Sequence, residues 1–488
     1  MARIFKPSKQ LKSRKHASSS KQLGHFIGRV DKYDLQLKGI VSNPHNKVAF
    51  VPGAMVGEKV KVNAVSYTDK VIQGEIVDIL EASEKRIKPQ CGHFEKCGGC
   101  QLQYMSNEQQ TLEKSFALQQ LLAKACNLNQ SQTEDIWQAP VESDAFGYRR
   151  AARLVTWWSD KPTGDERLQL GFREEKSKQV VDIKECPVLA PGLVDIALKL
   201  KATLLKDETA TSVTHIQLFS LPNYIVVVVR ITDPQSSRAK HKGKVVKTPL
   251  EGITPVTTHS IPTSLKEALV DFAEQQDIHL IAELDDQQFD VLRAHLSANQ
   301  LQLQYQADQL KFDFTAKDFI QVNAEVNDKM IAQAMDWLNP SSEDTILDLF
   351  SGVGNFTLPL AKRAKHVIGV EGVFNMVKQL KHNAELNGLT NVEAYQADLS
   401  QFDEKRPPKW LKPIDKLLLD PARDGAFAVM QTIPKLKPKQ ILYISCNPTT
   451  MVRDIKLLIS AGYQLKKAGI LNMFPNTSHV EAMVLLEK

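Results

Sequence analysis

In the stretch "ILYISCNPTTMVRD", residues 441–454, a cysteine stands where an apolar run gives way to Asn447-Pro448 and a helix-starting Thr449-Thr450. The pattern puts Cys446 at the carboxyl end of a strand, on the rim where open α/β sheets bind ligands. A free thiol near pKa ~8.5 is only a few per cent ionised at neutral pH, and a helix start favours an anion by on the order of 1 kcal/mol. The expectation is therefore a thiol activated by its position, which makes it a candidate nucleophile.

Upstream, the strand in "TILDLFSGVGNF" runs into Gly352-Val353-Gly354, where the backbone can turn tightly and approach a ligand. The third glycine of a dinucleotide loop is absent, and Thr357 occupies its place. Glu371 ends the next strand, where an acid can accept hydrogen bonds from ribose hydroxyls. Asp398 ends the third strand and Asp420-Pro421 the fourth. This ordered set predicts an S-adenosylmethionine site rather than a nicotinamide site. A thiolate beside a sulfonium methyl suits one reaction in particular. Carbon 5 of a pyrimidine is a poor nucleophile until something adds at carbon 6; after methyl transfer, a base must remove the carbon 5 proton so that the thiol can leave. Glu481, opening the last strand in "SHVEAMVLL", is the candidate base.

A second cysteine group, Cys91, Cys97 and Cys100 with Cys186 far downstream, could hold zinc or an iron–sulfur cluster, and spacing alone leaves both open. Six cysteines are too few for a secreted disulfide scaffold of 488 residues. Cys126, on a helical run, reads as core.

The chain is too long for one ordinary core. Residues 1–22 carry seven Lys/Arg and no acid, more than the whole net charge of +6, and read as a disordered tail suited to a polyanion. Residues 23–83 read as five short strands of a small Greek-key barrel, of the OB type or an SH3-like alternative. Residues 84–315 read as the cysteine loop, a helix over 106–127 and a central α+β domain. There Tyr148, Arg149, Arg150, Arg153, Trp157, Trp158, Phe172 and Arg173 interleave aromatic and basic side chains as RNA binding requires. A basic, proline-containing loop covers 233–263. Residues 316–488 alternate strands and amphipathic helices, which predicts a doubly wound, Rossmann-like parallel sheet with an antiparallel addition at one edge. No apolar run is long enough to span a membrane and no secretory signal is present, so the expectation is a soluble cytoplasmic protein, monomeric by default.

The combination of "FVPGAMVGE", "CGHFEKCGGCQLQ", "GYRRAARL", "FIQVN", "DLFSGVGNFTLPLA", "LLLDPARDGA", "YISCNPTT" and "MFPNTSHVEAMVLLEK" resembles the RNA uracil-5-methyltransferases, and among them those acting on 23S rRNA, from about Gly24 onward. The resemblance implies that the N-terminal barrel is of the TRAM type. It implies S-adenosylmethionine contacts at Gln321, Phe350, Asn355, Glu371, Asp398 and Asp420, with Cys446 as nucleophile and Glu481 as base. It further implies a [4Fe-4S] cluster on Cys91, Cys97, Cys100 and Cys186, pinning the cysteine loop against the β region, and a flipped-out uridine as substrate. Ala422 and Ser351 depart from the family pattern, each by a small residue. The sister classes that act on tRNA or on two rRNA sites share most of these motifs. Radical methylthiotransferases need Cys-x3-Cys-x2-Cys, which the cysteine spacing here does not match. A non-catalytic RNA-binding protein would have no use for an intact Cys446 and Glu481.

Overall fold

The computed structural model describes residues 24–159, 164–175, 177–232, 261–284, 288–296, 301–400 and 408–488. The basic tail 1–22 and most of the 233–263 loop lie outside them. The chain divides into two compact units, the N-terminal barrel and Lys85–Lys488 together with Leu35–Leu37.

The barrel closes in the order His25–Tyr33, Gly39–Val41, Val48–Val51, Val71–Glu81, Lys59–Tyr67. Alternation does the work: Phe26, Val41, Ala49, Val51, Val60, Val62 and Ile72 point inward and are buried. The parallel pairing of Val48–Val51 with Val71–Glu81 gives the Greek-key crossing.

The second unit holds two seven-stranded sheets. The first is ordered Phe289–Arg293, His279–Glu283, Ile225–Ile231, Val213–Ser220, Ala151–Trp158, Leu168–Arg173, Val180–Asp182. It is antiparallel apart from the Ile225–Ile231 and His279–Glu283 pair, and helices Leu193–Leu204 and Thr263–Gln275 pack on its apolar face. The second runs Val392–Gln396, His366–Glu371, Thr345–Leu349, Lys416–Leu419, Gln440–Ser445, Glu481–Glu487, Gln464–Leu471. Its first five strands are parallel and its last two antiparallel, the arrangement expected of the C-terminal third. Runs such as Ile346-Leu347 and Leu417-Leu418-Leu419 are fully buried, as strands covered on both faces must be.

Segments on either side of residue 316 share one core. Phe219, Val226 and Ile281 of the first sheet belong to the same apolar cluster as Phe356, Leu380 and Leu442. Helix Asn107–Cys126 lays Leu118 and Leu122 against the second sheet's other face, with half-buried Cys126 packed beside them. Trp137 and Val141 pair with Ala468 and Leu471 at that sheet's edge.

Candidate active site

A cavity of about 840 Å³ opens at the carboxyl ends of the parallel strands, and it collects most of the residues singled out by sequence. Gln321, Phe350, Asn355, Glu371, Asp420, Cys446 and Glu481 line it, together with Cys91, Cys97, Cys100 and Cys186. Asp398 is not among the lining residues. Its carboxylate is turned back on its own turn, accepting hydrogen bonds from the Ser400 backbone N–H (3.0 Å) and hydroxyl (2.6 Å).

The loop after Thr345–Leu349 is built for close approach. Phe350 is held at φ 63°, and Gly352 and Gly354 at φ 55° and 106°, a region side chains rarely adopt. A Cβ on Gly352 would meet nothing within 4 Å, whereas one on Gly354 would strike Leu380 at 2.7 Å. The first glycine therefore opens the cavity and the second lets helix and strand pack. Glu371 uses one oxygen for the Gly352 N–H (3.1 Å) and the other for the Val373 N–H (3.0 Å), leaving lone pairs on both for a ligand. Asn355 exchanges hydrogen bonds with Asn327, 3.1 and 2.9 Å, which fixes its amide at the mouth. Beneath the loop Asp348, buried, accepts from the Thr357 hydroxyl at 2.5 Å. Burial, with Asp420 and Glu371 nearby, pushes its carboxyl up to about 7.

Three acids face one another at the methyl-acceptor end. Burial pushes Asp420 up to about 7. Burial and then Asp420 push Glu481 up to about 8, against an opposing pull from Lys114. Cys446 is pushed up to about 11 by burial first, then by Glu481 and Asp420, with Arg423 opposing. This corrects the expectation of a thiol activated by the following helix. The helix does begin there, with Asn447 as its cap accepting from the Thr449 N–H, yet two carboxylates and loss of water outweigh one helix end.

At the other end, the 91–100 loop is stitched to the Leu168–Arg173 hairpin region. Gly98 N–H donates to the Arg173 carbonyl (3.0 Å), Gly92 N–H to Glu185 Oε1 (2.7 Å) and Lys184 N–H to His93 Nε2 (3.0 Å). Burial leads in raising each of the four thiols, and the charge of Cys186 adds to it for Cys91, Cys97 and Cys100, the last reaching about 12. Four thiols along one end of the cavity are the donor type that a cationic inorganic group takes, and its charge would oppose those upward shifts. Among the described residues no three His, Cys, Asp or Glu side chains close around a point able to hold a single metal ion. A zinc tetrahedron with Zn–S near ~2.3 Å would need thiols only about 3.8 Å apart.

The comparisons with known proteins follow this geometry. Residues 259–488 match the family model described as tRNA (Uracil-5-)-methyltransferase. Proteins named 23S rRNA (uracil(1939)-C(5))-methyltransferase RlmD are similar over the whole chain. The one from Shewanella frigidimarina is 39% identical, over 100% of this chain and 99% of the relative. That from Vibrio campbellii is 38% identical, over 100% of both. The chain belongs to the RNA uracil-C5-methyltransferase family. Its fold agrees with the solved Pyrococcus abyssi tRNA (uracil-54, C5)-methyltransferase in complex with S-adenosyl-L-homocysteine. The TM-score is 0.67 at 21% identity, covering 94% of this chain and 99% of that one.

For an RNA uracil-C5-methyltransferase the surface outside the cavity matters as well, and here the structure divides the aromatic-basic group. Arg150 is buried, stacks 4.7 Å over Tyr305 and donates to the Gln321 carbonyl; Tyr148 is buried and donates to the Pro475 carbonyl. Tyr148 is framework, its hydroxyl consumed by a backbone oxygen; Arg150 is held inward by burial, its Nε bond and Tyr305, while its Nη2 has no hydrogen-bond partner among the described residues. Arg153, Trp157 and Arg173 remain exposed. His215 lies near Arg153, Arg173 and Arg230, and its imidazole is pushed down to about 4 by burial and then by Arg153, Arg230 and Arg173. Sequence reasoning missed three things: the Arg423–His479 hydrogen bond on the cavity wall (3.0 Å), Phe474 edge-on to His479, and the polar face of helix Asn107–Cys126. The first two lie inside motifs already quoted, where the residue types alone could have flagged them. The third gave no signal, because a polar helix face reads as solvated.

Proposed function

We propose that this chain methylates carbon 5 of a uridine in 23S rRNA, the uridine being the one that its RlmD-named relatives are named for. The observation that carries the reading is the convergence of Cys446, Glu481 and Asp420 on the cavity that also holds the Gly352 loop and Glu371.

Gln321, Phe350, Asn355, Glu371 and Asp420 would hold S-adenosylmethionine, which supplies an electrophilic methyl group when bound. Asp398 joins that set through Oδ2, since both Ser400 bonds fall on Oδ1. The target base must leave its stack to reach the cavity, at a cost of a few kcal/mol, less in a loop. The Cys446 thiol gives its proton to water, its sulfur bonds to carbon 6, and the electrons of the carbon 5–carbon 6 double bond move into the ring as an enolate. Carbon 5 then takes up the methyl group with that electron pair, leaving the donor as the neutral thioether S-adenosylhomocysteine. Glu481 accepts the carbon 5 proton, the carbon–hydrogen pair re-forms the double bond, and the carbon 6–sulfur pair returns to Cys446 as thiolate. Arg153, Arg173, Arg230 and Trp157 supply phosphate neutralisation and stacking for the RNA. On the same reading Cys91, Cys97, Cys100 and Cys186 hold a [4Fe-4S] cluster that pins the loop to the hairpin, the N-terminal barrel is a TRAM-type RNA-binding module, and the enzyme is cytoplasmic, where its substrate is.

The deciding experiment is a labelled-methyl assay on 23S rRNA from cells lacking the gene, followed by mapping of 5-methyluridine. Label at a single 23S uridine, lost in Cys446→Ala while cofactor binding persists, is expected. Label on tRNA alone, or undiminished label in Cys446→Ala, would overturn the reading. Anaerobically purified protein should contain about four irons, and colourless protein with zinc would remove the cluster.

A further inference from the structure

Lys114 is a buried ionisable group to which the mechanism gives no task. It lies on helix Asn107–Cys126 and is only 1% exposed. Its ammonium reaches two neutral oxygens, Asn472 Oδ1 at 3.0 Å and the Phe474 carbonyl at 3.4 Å, and no carboxylate among the described residues. Burying a cation among neutral acceptors costs free energy, and a methionine of similar length would fill the site without that cost. Stability therefore does not account for the charge.

The surroundings do. Asn472 and Phe474 belong to the 472–480 segment that joins strand Gln464–Leu471 to Glu481. The same helix grips this segment along one face. Asn472 Nδ2 donates to Asn107 Oδ1 (3.2 Å) and Thr111 Oγ1 (3.1 Å). Gln110 donates to Asn476 Oδ1 (3.1 Å) and accepts from the Asn476 N–H (2.8 Å). Gln101, just before the helix, accepts from the Ser478 N–H (3.3 Å). The charged groups around Glu481 are Asp420 and Cys446 across the cavity, and His479, Arg423 and Arg149 along its wall. Arg423 is exposed, so water screens it; Lys114 is dry.

We propose that Lys114 is a positioning residue for the elimination step: it fixes the segment that carries Glu481 and supplies a dry positive charge that favours the carboxylate form of Glu481, the form that accepts the carbon 5 proton. The inference rests on the proposed function, since it gives Lys114 a task only if Glu481 is the base. Each partner acts on the other in the expected sense. Burial drives Lys114 down to about 7 even with Glu481 raising it, and Lys114 lowers Glu481. With the cation gone, Asp420 and burial act on Glu481 unopposed. The carboxylate then forms only at higher pH.

The test follows the lifetime of the covalent protein–RNA adduct from pH 6 to 10 in the full-length wild type, Lys114→Met and Lys114→Gln, with S-adenosylhomocysteine binding as the check of folding. Both variants should form adduct and bind S-adenosylhomocysteine as the wild type does. Their resolution should be about tenfold slower at pH 7, with its midpoint moved up by about one pH unit and the difference vanishing at high pH. A deficit of equal size at every pH would show a purely structural role and overturn the proposal, as would an unchanged profile. Should Lys114→Met fail to bind S-adenosylhomocysteine, Lys114→Gln, which keeps a hydrogen-bond donor, decides alone. If the wild type and Glu481→Gln form no adduct at all, it is the proposed function that fails.

Discussion

The thiol of Cys446 should be unreactive in the empty enzyme, which is the opposite of what its place before a helix suggests. Its ordinary value of 9.0 is pushed up to about 11, by burial and then by Glu481 and Asp420. At pH 7 the ionised fraction falls from about 10⁻² to about 10⁻⁴, so alkylation that proceeds through the thiolate slows about 100-fold relative to an ordinary cysteine. The sign follows from linkage: a raised thiol keeps its proton at every pH below the new midpoint. Iodoacetamide labelling, quenched at intervals between pH 7 and 11 and read at the Cys446 peptide by mass spectrometry, gives the midpoint directly. Glu481→Gln removes the second contributor and should lower that midpoint, and a bound cationic sulfonium should lower it further. Activation would then belong to the filled site, which protects an empty enzyme from stray oxidation and alkylation. A midpoint at or below about 8.5 in the empty enzyme would refute this, since it would mean that the helix start outweighs the carboxylates.

Three other outcomes are expected. Glu481→Gln should trap the protein–RNA adduct on denaturing gels, and in the wild type adduct resolution should rise with pH until Glu481 is ionised at about 8; resolution falling with pH would exclude a carboxylate base. Gly98→Ala would place a Cβ 3.0 Å from the Arg173 carbonyl oxygen and 3.0 Å from the Glu175 nitrogen, both backbone atoms that cannot step aside. It should lift the cysteine loop from the hairpin and lower iron content in anaerobic preparations, and wild-type iron would contradict that. Asn383, fully buried, accepts from the Asp313 N–H (2.9 Å) and donates to the Asp313 and Val353 carbonyls (both 3.0 Å), tying the Leu303–Ala307 and Leu310–Phe314 hairpin to the Gly loop. Asn383→Ala should cost roughly 3 kcal/mol in denaturant unfolding, because it strands buried polar groups at about 1–3 kcal/mol each, and a loss under about 1 kcal/mol would argue that the loop relaxes around the gap.

What could be read from sequence is what local pattern encodes. Strand Thr345–Leu349 announces itself as an apolar run feeding a glycine turn, and Cys446 and Glu481 are each marked by one polar residue bounding such a run. The parallel sheet then has to bring their ends to one rim, so topology alone assembles the site. What could not be read depends on which neighbour fills the space around a side chain. Arg150 beside Arg153 looks equally suited to a phosphate, but the pleat sends one inward onto Tyr305 and the other to solvent. Lys114 sits in a run, "NEQQTLEKS", that reads as a solvated helix face, because nothing nearby in the chain shows that residues 472–480 will cover it. The sign of the shift on Cys446 is the sharpest case. The favourable helix lies next to it in sequence, whereas Asp420 and Glu481 lie 26 and 35 positions away and meet it only in three dimensions. The helix is visible next to Cys446 in the chain; burial, the largest cause, and the two carboxylates that add to it are not. The same two carboxylates, when charged, make Cys446 a poor leaving group for the final step, and a Glu481 that has just taken a proton no longer opposes a departing thiolate. The geometry that suppresses the nucleophile at rest therefore couples its release to proton capture.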